Sequence, residues 1–217
     1  MRALARIEVL KQALVAALLS TVAAWPRLAG FTENPNPTWF LAGVLFWAAF
    51  CLWAAVFAWH ARITERALLD WRLAARAWGM VTLVGVVGAV LFAFTTDPVW
   101  RLVRPRDFPM TTDAWVAQTL FYLGFEQLFA YLGPFALGFR LTGSVRVSIA
   151  GTAVFRLGLL ALQLHTAVPT PSVAGVLLLI IARVAVTWVV LNVYLRGGLL
   201  AVGWLGLLWQ LRHWFSF

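Results

Sequence analysis

The sequence predicts an all-α fold, a polytopic bundle of six or seven transmembrane helices with its N-terminus in the cytoplasm. Three observations predict it. Of 217 residues, 63% are hydrophobic and only 12% charged, and the mean hydropathy is +0.87. No soluble globular domain has that composition. Apolar runs of about 20 residues, the length a helix needs to cross a bilayer, recur along the whole chain. The cations sit mostly at the ends of those runs, as orienting charges do.

The elements follow in order. Met1 to Lys11 is basic and partly amphipathic, and Gln12 to Leu28 is apolar. That layout is shared with signal peptides; the expectation here is a retained first span. Phe31 to Pro37 is rich in turn residues. Thr38 to Trp59 is the second span. His60 to Arg76 has charges and an apolar stripe at helical spacing, which predicts an interfacial connector. Trp78 to Phe94 is the third span, and its Gly85, Gly88 and Ala89 suit close helix packing.

Thr95 to Ala114 is the longest loop. Pro98, Pro105 and Pro109 argue there against regular structure. Trp115 to Phe139 is the fourth span and carries Glu126 near its middle. A carboxylate at that depth costs roughly 2.5–3.5 kcal/mol, so a partner or a purpose is expected. Gly133 and Pro134 are placed to bend this helix. Val147 to Leu164 is the fifth span and contains Arg156. Val173 to Leu195 is the sixth, with Arg183 and Asn192 inside it. Arg196-Gly197-Gly198 is a tight turn, and Leu199 to Leu211 is a short seventh span. Arg212-His213-Trp214 reads as an interfacial anchor.

The net charge is +9, from 16 Arg and one Lys against 8 acids. With the N-terminus inside, Arg2, Arg6, Lys11, Arg62, Arg66, Arg72, Arg76, Arg140, Arg146 and Arg196 lie inside. Arg27, Arg101, Arg104, Arg106 and Arg212 lie outside. That bias favours the N-in arrangement in the cytoplasmic (inner) membrane. Cations so placed orient the chain and touch lipid headgroups, so the partners expected are the bilayer and other membrane subunits, not nucleic acid.

Cys51 is the only cysteine, which rules out a disulfide within the chain and a cysteine metal cluster. His60, His165 and His213 form no paired metal motif, so no metal site is expected. Each lies at a span end, where an interfacial role is ordinary. One imidazole is nonetheless enough to ligate haem or a pigment, so all three are weak candidates for cofactor contact. Trp47, Trp53, Trp188, Trp204 and Trp209 are among the tryptophans that fall within spans. Such side chains serve either as bundle core or as contacts to other subunits and flat cofactors.

The segments Glu126-Gln127-Leu128-Phe129-Ala130-Tyr131, Phe155 to Leu159 and Gly206 to Gln210 follow a further pattern, with Arg140 and Gly143 in the turn after the first. Their order and spacing resemble the CPBP family of CAAX-type and bacteriocin-processing intramembrane proteases. That family carries Glu-Glu-x-x-x-Arg, Phe-x-x-x-His and His-x-x-x-Asn-like motifs. The resemblance covers about residues 125–210 and implies a four-helix core over 115–211, after three spans in 1–114, within one membrane domain.

Most of the family's chemistry is replaced. The second Glu is Gln127, the Arg is Tyr131, the two histidines are Leu159 and Gly206, and the Asn is Gln210. In the family the Glu and first His activate water, and the second His and the Asn stabilise an oxyanion. Glu126 alone cannot supply base, orientation and oxyanion donors together. The resemblance therefore implies a catalytically degenerate, accessory or structural subunit of a membrane complex. The alternatives are an endopeptidase using Glu126 with His165 and Gln210, and a small transporter or lipid- or cofactor-binding protein. Glu126 is expected to pair with Arg156, with Arg183 as the other candidate.

Overall fold

The computed structural model describes residues 7–30, 35–63, 75–105, 108–167 and 169–215. They form α1 (Ile7–Ala29), α2 (Pro35–Ile63), α3 (Ala75–Phe94), α4 (Thr96–Val103), α5 (Thr112–Phe121), α6 (Gly133–Thr142), α7 (Val145–His165) and α8 (Val173–Leu211). There is no strand among the described residues. Six helices among them are long and apolar enough to cross a membrane, so the chain is an all-α, multi-pass membrane protein. Most of the expected connector from His60 to Arg76 lies outside the described residues.

Two segments differ from the sequence expectation for one reason. Residues 96–103 form a helix despite Pro98, and α2 starts at Pro35, inside the expected loop. In both, proline sits in the first turn, where the missing N–H has no helical acceptor to lose.

The chain divides into two compact units. The first comprises Met1–Leu68 and Val116–Ser148. There α1 buries a narrow stripe, Val9, Ala13, Ala17, Ser20, Ala24 and Leu28, spaced three or four residues apart. Small side chains on that stripe let neighbouring helices come close. The Ser20 hydroxyl accepts from the Trp53 indole of α2 at 3.0 Å. A Cβ on Gly124 would come within 2.7 Å of Ala23. From Trp53 to His60, α2 is buried on every side. Trp59 meets the edges of Phe135 and Phe139 at 5.3 and 5.5 Å. Gly143 ends α6 with φ 66°, its N–H donating to Phe139 at 2.8 Å, the left-handed cap glycine supplies at least cost.

The second unit comprises Leu69–Trp115 and Ile149–Phe217. Within it α8 is broken at Gly198, which has φ 72° and ψ −168°, a region open in practice only to glycine. The break separates a first arm, 173–197, from a second arm, 199–211. In the first arm Gly175 packs beside Val99 of α4. Just past the second, Arg212 binds Asp97 of α4. Both far ends meet one short helix, so the chain folds back at Gly198. The tight turn expected at Gly197-Gly198 is thus present.

The second arm runs parallel to α3. Trp204 donates to Thr82 at 2.9 Å, Leu208 sits on Gly85, and Trp209 sits on Gly88 and 5.3 Å from Phe92. These two glycines make the close approach that their spacing suggested.

Candidate functional site

Glu126 lies in a helix whose middle is not α-helical. Tyr122–Glu126 and Leu128–Leu132 are π turns. The Gln127 N–H donates to Tyr122 and the Gly133 N–H to Leu128, each five residues back. Pro134 accounts for the second turn. It lacks an N–H for Ala130 and its ring crowds that carbonyl, which a widened turn relieves. The bend expected at Gly133-Pro134 is taken up in this way. Glu126 is half-buried, while Gln127 and Tyr131 are buried. Phe121, Phe125 and Phe129 form a run with ring centroids 5.8 Å apart at each step.

Glu126 belongs to the first unit, and Arg156, Arg183, His165 and Gln210 belong to the second. Arg156 is only 3% exposed. Arg183 donates to Gln163 Oε1 at 3.0 Å, and its guanidinium lies 5.3 Å from the Trp100 ring centroid. His165 is exposed at the end of α7. His60 and His213 are 6% and 3% exposed, so they are core groups rather than side chains in an exposed headgroup layer. His60 lies against Trp59, and His213 meets the edge of Phe108 at 5.2 Å. No group of three metal-binding side chains occurs among the described residues.

What the second unit does assemble is a polar cap where α4, α7 and α8 end. Asp97 and Arg212 form a two-pronged pair at 2.8 and 3.3 Å. Arg212 also donates to the Trp209 carbonyl and lies over Phe92 at 5.4 Å. Its guanidinium thereby satisfies a carbonyl at the helix end as well as the carboxylate. Arg104 donates to Thr166 Oγ1 at 3.3 Å. Arg101 lies over Phe108 at 4.9 Å. Trp115 donates to the Gln210 carbonyl at 2.8 Å and meets Trp214 edge-on at 5.0 Å. Gln210 is buried, and its Oε1 has no hydrogen-bond partner among the described residues.

Sequence reasoning missed Asp97, Trp100, Arg104 and Gln163. A signal was present. Asp97 and Arg101, and Trp100 and Arg104, are each four apart, so once Pro98 is placed in a first turn they share helix faces. Of Arg212-His213-Trp214, read as an anchor, Arg212 is paired and His213 buried in this cap, while Trp214 is exposed.

Trp47, Trp53, Trp188, Trp204 and Trp209 separate into two kinds. Trp53 and Trp209 are buried, and Trp204 is tied to Thr82. Trp47 and Trp188 instead point outward, 63% and 59% exposed. Fold and composition together define a multi-pass membrane helical protein. No protein-family model, curated protein or solved structure matches the chain.

Proposed function

We propose that this chain is a non-catalytic accessory or structural subunit of a larger membrane complex, built on a degenerate CPBP-like scaffold. We place it in the cytoplasmic membrane with its N-terminus inside. The observation that carries the reading is the position of Trp47 and Trp188. Trp47 lies in the middle third of the span Pro37–His60, and Trp188 in that of the arm 173–197. Tryptophan in membranes favours the headgroup level, where its N–H reaches water. At mid-depth lipid offers the indole no acceptor. Neither indole has a hydrogen-bond partner among the described residues. A neighbouring protein can supply one.

The surroundings support the same reading. Phe40, Gly43, Trp47 and Cys51 follow one outward face of α2, and Gly43 leaves open space between the aromatic rings. On α7, Gly151 and Gly158 are exposed with nothing near them. Outward glycines seven residues apart let a second helix come close. The outer face of α3, in contrast, is Leu83, Val86, Val87, Val90 and Leu91, the surface lipid accepts without cost.

Photo-crosslinking in native membranes tests this. A photoreactive side chain at position 47 or 188 is expected to capture protein in discrete bands, and one at position 87 to capture lipid. Lipid adducts alone at all three positions would refute the reading.

The π turns around Glu126 favour a second reading, because such turns recur at functional sites. In it, Glu126 serves as the base of an intramembrane endopeptidase. Loss of peptide cleavage in Glu126→Gln, with the fold intact, is its test.

A further inference from the structure

On the outward face of the first arm of α8, Leu177, Ile181, Val184, Ala185 and Trp188 are exposed. Asn192 follows one turn after Trp188. It is half-buried, and its Nδ2 donates to the Trp188 carbonyl at 2.8 Å. That bond holds the amide against its own helix and uses one of its two N–H groups. The other N–H and Oδ1 have no partner among the described residues. We propose that this face docks a second copy of the chain, with the Asn192 amides of the two copies hydrogen-bonded to each other across a two-fold axis. This rests on the subunit reading only in taking Trp188 as a contact to protein, and it names that protein as the chain itself.

Depth makes the amide costly to leave facing lipid. The arm 173–197 is about 37 Å long, against a hydrocarbon core of about 30 Å. With the arm centred, about 4 Å projects at each end. Asn192 stands about 8 Å from the end at 197, so its amide lies inside the hydrocarbon. Lipid offers neither donor nor acceptor there. Asparagine so placed bonds across to a second helix. The outer face of α3, with Leu83, Val86, Val87, Val90 and Leu91 exposed, makes no such demand.

Self-complementarity names the occupant. An amide with a free Oδ1 and a free N–H is matched by a second amide in the same state, and two bonds close between them. Copies of one chain enter the membrane in one orientation. A two-fold axis relating them therefore runs along the membrane normal, and residues near it face their own counterparts at equal depth. Asn192 thus meets Asn192. The remaining lone pair of each Oδ1 is an acceptor for the Trp188 indole of the other copy, one turn away. Ala185, seven residues before Asn192 and so on the same face, is small enough to let the two helices approach.

The test is the oligomeric state of the purified full chain in vesicles, read by energy transfer between copies labelled at the N-terminus as the protein is diluted with lipid. The wild type is expected to dimerise. Asn192→Leu, which suits lipid and leaves insertion intact, is expected to need about ten times more protein per lipid. Asn192→Gln, which keeps an amide, is expected to fall between them. Oxidative crosslinking reads the face separately. With Cys51→Ser removing the exposed native thiol, Ala185→Cys is expected to link two copies, and Leu83→Cys on α3 is not. A chain that stays monomeric at every dilution overturns the proposal. So does Asn192→Leu dimerising as tightly as the wild type, or linkage at 83 rather than 185. A chain monomeric alone, whose position 188 captures a different protein, refutes the dimer and keeps the subunit reading. A dimer whose positions 47 and 188 capture only a second copy and lipid refutes the subunit reading and keeps the dimer.

Discussion

Replacing Gly198 by alanine tests the fold-back that gives the second unit its shape. Gly198 is buried and holds φ 72° with ψ −168°. A side chain in that region costs about 1–3 kcal/mol, because Cβ meets the flanking carbonyls. Gly143 also has positive φ, but with ψ 5°, the left-handed region that asparagine tolerates. The two sites therefore separate by chemistry. Gly143→Asn is expected to cost well under 1 kcal/mol, and Gly198→Asn as much as Gly198→Ala. Denaturant unfolding in detergent, followed by tryptophan fluorescence, gives the difference. If Gly198→Ala and Gly143→Asn are equally mild, the break at 198 is not a glycine-dependent turn and the account of α8 fails.

Three further predictions follow from packing and pairing. Arg212→Gln should cost about 3–5 kcal/mol, because it strands the buried Asp97 carboxylate, and Asp97→Asn less, because Arg212 is partly exposed and keeps the Trp209 carbonyl; the double mutant should cost less than the sum, by at least about 1 kcal/mol in an unfolding cycle. Gly88→Leu should lose about 1–3 kcal/mol by driving into Trp209, whereas Gly79→Ala, which meets open space, should leave the melting temperature unchanged or slightly raised. Ser20→Ala, which strands the Trp53 indole N–H, should cost about 1–3 kcal/mol, measurable as a lowered midpoint and as a shift in tryptophan emission.

The helices were legible because apolar length alone defines a membrane span. The turn at Gly197-Gly198 was legible because two glycines between apolar runs have few other uses. Periodicity does not report how helices group. The first unit joins α1 and α2 to the Glu126 helix, a grouping that no spacing within one helix encodes. Helix 96–103 was hidden because proline reads as a breaker until its place in the first turn is known. The Asp97–Arg212 pair joins residues 115 apart, and no local pattern announces a contact of that range. The tryptophans show the same limit. Their spacing placed them within spans, but burial, which depends on the neighbours each helix finds, separated Trp53 and Trp209 from Trp47 and Trp188.

The most direct measurement is purification of the tagged chain in mild detergent, with quantitative mass analysis, for the wild type and for Trp47→Ala with Trp188→Ala. The account predicts membrane proteins present in fixed ratio to the wild type and lost from the double variant, which still folds and inserts. A wild type that purifies as a monodisperse single chain, with no component in fixed ratio, would contradict it and return the question to Glu126.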